Sequence, residues 1–459
     1  MRESNAGRAS WVWMIAFAVV FAAMVIPAIL AGGGGTSQAN DMMDYHSIEI
    51  RRIETQWPTP DLRDAFTTTT PGFHLVLAGL AKLGFSAMVL RMVAAVAGLA
   101  AWLVAWRVAA AWCGASRAAL LIAPLACSPY LVGSAIWLTT DASALALGAA
   151  TIGLALVGWR RSRDAWATAV LGAGTVLVRQ IMLWCVVPGM LRAWLEGGSL
   201  GARVRGVARI ALPSVACVIA FFMLWGGSMP PRFQPFHQAV WNPAAITFTL
   251  AMAGACGVFL LPWIWGRLDR AARRGVVVVA VVGLAMAAAP RSDYRKVLPP
   301  DAQRVGTRTE KTWGPTAPDV VKGAGEVGRW GGPLWDAAKA APVVAGRSVL
   351  LVALAGVGAG VLMGLWGLAD RAGRGRVALM LLAAMAGMVA SQCLNAQTFE
   401  RYFDPWALLL IAWLAAMARP RAQERSLSVG LVLLVVVQFG MTVAVVLRPA
   451  FIGPALGAW

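Results

Sequence analysis

The sequence predicts an all-α polytopic membrane protein. Of its 459 residues, 59% are hydrophobic and only 13% are charged, and the mean hydropathy is +0.68. Such a balance excludes an ordinary soluble globule. In lipid, backbone polar groups need partners within their own helix or within a closed barrel. Long apolar runs such as Val276 to Ala289 and Leu427 to Leu447 select helices over the short alternating segments of a barrel.

Apolar windows place spans near 11–31, 86–108, 117–135, 139–158, 208–226, 244–266, 275–289, 347–368, 377–394, 403–418 and 427–447. Trp11 to Leu30 is long enough to stay as a span, and Arg2 and Arg8 ahead of it make the N-terminus cytoplasmic. Phe73 to Leu83 is too short to cross a ~30 Å core. Ala165 to Arg192 begins and ends beside basic loops yet has length for two half-spans only. It reads as a hairpin of short helices with Val178, Arg179 and Gln180 near its turn, an irregularity tolerated where it lines a protein cavity. The prediction is a single domain over 1–459 of about 11–14 transmembrane or half-membrane helices.

The net charge is +19, from 40 Lys plus Arg against 21 Asp plus Glu. In a membrane chain this excess orients the loops and does not indicate nucleic acid. Basic clusters mark inner loops: Arg160 to Arg163, Arg203 to Arg209, Arg267 to Arg274, Arg371 to Arg376 and Arg419 to Arg425. On this path only Glu3, Asp164, Glu196, Asp269, Asp370 and Glu424 are inner carboxylates; the rest fall in outer loops or at outer helix ends. None needs to lie mid-bilayer, which argues against an ion pathway and favours a site at the outer face. Two outer segments are substantial, 32–72 and 290–347. The second is rich in Pro, Gly and charge, and is either a solvated loop or a lid for an anionic lipid-linked substrate. The six cysteines form no CxxC, so neither zinc nor a disulfide framework is indicated.

Chemistry-bearing residues gather on that outer side. The run DMMDYH places Asp41, Asp44 and His46 just beyond the first span, and TTTTPGFH (Thr67 to His74) closes the same segment. A carboxylate at an apolar boundary is a candidate general base on a hydroxyl; a solvated loop carboxylate is the competing reading. His46 either positions a substrate or shares a proton, or is incidental. Asp141 in IWLTTDAS opens a helix, where Thr139 or Thr140 would cap and Asp141 would complement the dipole. Arg179, between two apolar half-helices, must face a cavity or an anion; phosphate suits its guanidinium fork, and pairing with Asp141 is the alternative. Arg401, in FERYFDPW, is a second phosphate ligand or an interfacial anchor, and His237 lies in the short outer stretch RFQPFHQAVWNP. No nucleotide fingerprint, Gly-rich phosphate loop, HExxH or GxSxG occurs. A lipid-phosphate donor is therefore favoured over a nucleotide-activated one.

Taken in order, MD followed shortly by His, TTTTPGFHLV, LTTDAS, VRQ followed by Trp184, FHQAVW and ERYF form a set that resembles the α-1,2-glucosyltransferases completing the lipid-linked precursor of N-glycans. That family has patterns like MDExFH, ITTxPGLY, YTDA, FRQTN, HxAxxH and FRYF, and belongs to the GT-C type of membrane glycosyltransferases. The resemblance implies inverting transfer of a hexose, glucose by analogy, from a polyprenyl-phosphate sugar to an outward-facing glycan or lipid-linked acceptor. Asp44 matches the family's loop aspartate, the base. Thr68, Thr69, Pro71 and Gly72 match the loop that shapes the acceptor side. Asp141, Arg179, Gln180, His237, Arg401 and Tyr402 match the remaining positions, with Arg179, Arg401 and His237 toward the donor phosphate. Tyr45 stands where the family has Glu, and His46 follows Asp44 by two residues, where the family has four. Which of Asp41 and Asp44 occupies the base position therefore stays open. With protein cations to neutralise the leaving phosphate, this chemistry requires no metal or cofactor.

The high Ala, Gly and Arg content resembles that of a bacterial protein, implying an inner-membrane enzyme with its site on the periplasmic face. Two other functions fit an outer cationic site. One is a flippase or transporter of lipid-linked sugars; the other is an O-antigen-type polymerase or ligase acting on a diphosphate lipid. The first needs a polar path or inverted repeats, and neither is evident in the sequence.

Overall fold

The computed structural model describes residues 2–159, 161–234, 241–290, 329–395, 397–420 and 424–453. Among these residues, eight helices are long and apolar enough to cross a membrane, and a bent pair brings the count up to nine. All fall on predicted windows. The described strands form only two short two-stranded pairings, so the fold is a helical membrane bundle.

Three elements differ from the sequence expectation. The window at 117–135 is two helices, Ala115–Ala126 and Pro129–Ile136, bent by 73°. Pro129 lacks an N–H and drives the preceding Ser128 out of helical geometry, to φ −64° and ψ 128°. The window at 403–418 is a 14-residue helix, Asp404–Met417, in which every residue is buried. A helix apolar on all sides is enclosed by protein, so it need not match the bilayer thickness. The third is the 290–347 segment, whose end is packed and not a solvated loop. Strand Arg329–Gly331 pairs in parallel with Gln397–Phe399, and helix Pro333–Ala340 inserts Trp335. That indole is fully buried, stacks on Phe248 with centroids 4.3 Å apart, and donates to the Thr398 carbonyl at 2.7 Å. The lid reading for 291–328 lies outside the described residues.

The expected hairpin is present. Helix Ser162–Val178 runs into a 3-10 turn, Gln180–Val186, and returns as Val187–Glu196. The arms lie close, since a Cβ added at Gly189 would come within 3.0 Å of Thr168. Helices Ala244–Gly257 and Val349–Arg371 approach through glycines: a Cβ on Gly358 would sit 2.7 Å from the Gly254 nitrogen. Small residues allow this approach in a medium where hydrophobicity cannot drive association.

Three of the arginine-rich loops, around Arg267, Arg371 and Glu424, come together at one end. Arg374 donates to the Trp112 and Met417 carbonyls, both at 3.3 Å; Arg371 pairs with Asp269 at 2.5 Å, and Arg267 with Glu424 at 3.6 Å. The candidate residues of the 32–72 segment, the hairpin tip and Arg401 meet at the opposite end.

Candidate functional site at the end opposite the arginine loops

The site begins with a local irregularity. Thr36 caps the short helix Ser37–Asp41 by accepting from the Ala39 N–H at 3.0 Å. The next turn, Met42–His46, is π-helical, and the chain then continues as Ser47–Thr55. A π turn is wider than an α turn, so residues five apart share a face. Ser37, Asp41, Tyr45 and His46 all line one chamber of about 150 Å³. Asp44, half-buried on the same turn, is not among the lining residues.

Two half-buried carboxylates and two arginines complete the chamber. Asp41 is ion-paired with Arg401, and Asp141 with Arg179. Tyr402 lies between the cations, its ring centroid 4.6 Å from the Arg179 guanidinium and 5.2 Å from that of Arg401. Arg401 also donates to the Tyr402 hydroxyl at 3.3 Å. Arg179 owes its position to the hairpin break: at φ −158° and ψ 107° it is extended between the helix and the 3-10 turn. The helix dipole of Asp141–Val157 does receive Asp141 in its first turn, but the expected Thr cap is replaced. Ser134 accepts from the Ala142 N–H at 2.7 Å and bonds Thr139 at 2.7 Å, and Thr140 makes no side-chain cap bond.

The threonine run forms the wall. Gln180 accepts from the Thr70 N–H at 3.1 Å and donates to the Thr68 carbonyl at 2.7 Å, while the Thr70 hydroxyl donates to the Val176 carbonyl at 2.5 Å. Behind it, fully buried Glu49 holds Arg52 through two bonds of 2.8 and 2.9 Å and accepts from the Phe66 N–H at 2.9 Å. That carboxylate folds the loop back onto its own helix. Gln180→Leu strands the Thr70 N–H and the Thr68 carbonyl, costing about 1–3 kcal/mol locally. Amide exchange across 67–70 is expected to accelerate while the rest of the bundle is unchanged.

Thr68, Thr69, Arg179 and Tyr402 also border a second cavity of about 350 Å³. Its other walls are largely apolar, with Leu183, Val218, Phe221, Phe222 and Trp225, and carry the polar side chains of Ser228, Ser391, Gln392 and Asn395. Phe222 and Met223 are exposed on the flank of the bundle, so this groove leads from the lipid-facing side to Arg179. Polar chamber and apolar groove thus share a boundary made of one guanidinium, one phenol and two threonines.

No protein-family model and no curated protein sequence matches the chain. Among solved structures, the crystal structure of ArnT from Cupriavidus metallidurans in the apo state aligns over 88% of this chain and 78% of that one, at 13% identity and a TM-score of 0.35. A likeness that loose carries no argument for site or substrate.

The chamber thus unites Asp41, His46, Thr68, Thr69, Asp141, Arg179, Arg401 and Tyr402, with Gln180 bracing its wall. Asp44 is not among the lining residues of the chamber, and His237 lies outside the described residues. Among the described residues no group of three or more His, Cys, Asp or Glu is placed to hold a metal ion. Sequence reasoning did not identify His74, whose Nε2 lies 2.8 Å from His46 Nδ1. Burial lowers the His46 pKa to about 3, with Arg401 and Arg179 adding to the effect, so this imidazole is neutral. Glu49 and Glu400 were also missed. The Asp41 to His46 spacing of five, awkward for an α-helix, was the available signal for the π turn.

Glu400 ties the site to the packed outer strand. It is buried, accepts from the Leu334 N–H at 2.8 Å, and is raised to about 8 by burial with Asp404 beside it. The unfolded chain releases this proton near the ordinary 4.5, so the folded state binds more protons between those values. Its contribution is complete below pH 4.5 and is lost as pH rises toward 8. Thermal stability is expected to fall across that window, and Glu400→Gln to flatten the slope.

Proposed function

We propose that this chain is an integral membrane glycosyltransferase moving a hexose, glucose by resemblance, from a polyprenyl-phosphate sugar to an acceptor hydroxyl on the outer face. The observation that carries this reading is the apolar, lipid-side groove that ends on Arg179 and shares a boundary with a chamber containing Asp41. Such a shape suits an amphiphile whose tail stays in the groove and whose phosphate meets the guanidiniums. The positive-inside rule supports an outward site, because the arginine loops gather at the other end.

In the proposed reaction Asp41 takes the proton of the acceptor hydroxyl. The freed oxygen bonds to the anomeric carbon from the face opposite the phosphate, inverting it. The bond from that carbon to the phosphate oxygen breaks, and its electron pair leaves with the phosphate. Arg179 and Arg401 neutralise the developing charge, and His237 is a further candidate there. Asp41 and Asp141 are ion-paired with these guanidiniums, and their carboxylates stand where phosphate oxygens would bind. Donor phosphate thus competes with Asp41 for Arg401, and its binding frees the base. Asp44, the family-matched aspartate, is the alternative base, and its place outside the chamber lining favours Asp41.

The test uses purified protein in lipid with radiolabelled polyprenyl-phosphate glucose and a panel of glycan and lipid-linked acceptors. Release of polyprenyl phosphate with a new inverted glycoside supports the proposal. Label crossing the bilayer without cleavage would mean a flippase, and consumption of a diphosphate-linked glycan alone would mean a polymerase or ligase.

A further inference from the structure

The histidine behind the chamber, His74, has no counterpart in the chemistry so far. His74 is fully buried and His46 is 8% exposed. Their rings are nearly coplanar and meet edge to edge, with planes 16° apart and centroids 5.1 Å apart, and His46 Nδ1 lies 2.8 Å from His74 Nε2. His74 Nδ1 is buried and has no hydrogen-bond partner among the described residues, whereas His46 lines the chamber.

Only two neutral arrangements satisfy that bond. In one, His46 Nδ1–H donates to His74 Nε2. His74 then carries its proton on Nδ1, leaving a buried N–H with no acceptor, and His46 offers the chamber a bare Nε2. In the other, His74 Nε2–H donates to His46 Nδ1. Both rings then hold the Nε2–H form, the commoner tautomer of a free neutral imidazole, and the orphan atom is an acceptor, a less rare exception than an orphaned buried N–H.

We propose that His74 fixes the tautomer of His46 so that His46 presents its Nε2–H to the chamber, as a hydrogen-bond donor to a substrate oxygen and not as a base. His74 is a positioning residue, acting through His46. The charged groups around the pair are consistent with a ring that does not gain a second proton: Arg401 and Arg179 act on His46 and Arg52 on His74, while Asp41 and Asp141 in the chamber are each held by an arginine. A fixed donor beside two engaged carboxylates leaves proton removal to the aspartate.

The direct experiment needs no substrate, so it is independent of the transferase reading; only the kinetic arm rests on that reading. The chain has three histidines, and ring-¹⁵N-labelled full-length protein in lipid therefore gives a pair of ring-nitrogen signals from each of three imidazoles, with His237→Asn assigning one pair. Bare and protonated ring nitrogens resonate far apart. Nε2–H with bare Nδ1 on both His46 and His74, unchanged from pH 5 to 8, is the expected result. Nδ1–H on either ring, or a doubly protonated His46 in that range, overturns the proposal. In the kinetic arm, His74→Phe keeps the ring but removes the donor, and is expected to lower kcat about five- to tenfold with donor KM unchanged. His74→Gln places an amide N–H near the Nε2 position and is expected to restore kcat. If Phe serves as well as Gln, or Gln fails as badly as Phe, His74 has only a packing role. Should wild-type protein transfer no sugar, the transferase reading fails while the ¹⁵N result still decides the tautomer.

Discussion

Asp41→Asn is expected to lower sugar transfer by about 10²–10⁴-fold while the protein binds polyprenyl phosphate at least as tightly as before. The two halves of that result have one cause. Asp41 lines the chamber and is ion-paired with Arg401, so the substitution removes a base and also a carboxylate that competes with phosphate for the guanidinium. A packing residue would lose both properties together. Asp44→Asn is the paired control: half-buried but off the chamber lining, it is expected to retain most activity. Transfer rates measured beside lipid-phosphate binding separate the outcomes. If Asp44→Asn silences the enzyme and Asp41→Asn does not, the base is Asp44 and the alignment produced by the π turn has no catalytic meaning.

The second large effect lies at the hairpin. Arg179 and Asp141 have side-chain exposures of only 10% and 15%, so removing one partner leaves a largely buried charge uncompensated. Arg179→Gln is expected to destabilise the bundle by about 3–5 kcal/mol and to abolish donor binding. Combining it with Asp141→Asn removes the stranded carboxylate, and most of the lost stability is expected to return. Donor binding is not expected to return, because the phosphate still lacks its guanidinium. Thermal unfolding of the two single variants and the double in detergent tests the coupling. A double variant no more stable than Arg179→Gln alone would mean that the pair is not the unit the geometry suggests.

The fold was largely legible in the sequence because hydropathy is a local property. A window such as Val276 to Ala289 declares its burial in lipid without reference to any other residue, and it lies within helix Arg270–Ala288. The hairpin was legible for the same reason: basic residues flank an apolar stretch too short for two crossings, and Ser162–Val178 and Val187–Glu196 are its arms. Local reading failed where the environment is protein. Asp404–Met417 is as apolar as any span yet is enclosed by its neighbours, and hydropathy does not distinguish lipid from a protein interior. The candidate site was legible as a set of residues and not as a set of partners. Arg179 and Asp141 are legible as a pair, because an arginine beside apolar half-helices requires a counter-charge. Arg401 with Asp41, His46 with His74, and Glu49 with the Phe66 N–H were not foreseen, since each depends on how helices pack or how a loop returns.

Composition and the spacing of apolar runs alone determined that this chain is a membrane helical bundle, and that its chemistry-bearing residues collect away from the arginine loops. Tertiary structure alone decided which aspartate meets which arginine, because Asp41 and Arg401 are 360 positions apart in the chain and only helix packing brings them into contact. The π turn made the final selection: by widening a single turn it aligns Asp41 with His46 and takes Asp44 out of the chamber lining, a choice that residue types in a row do not encode.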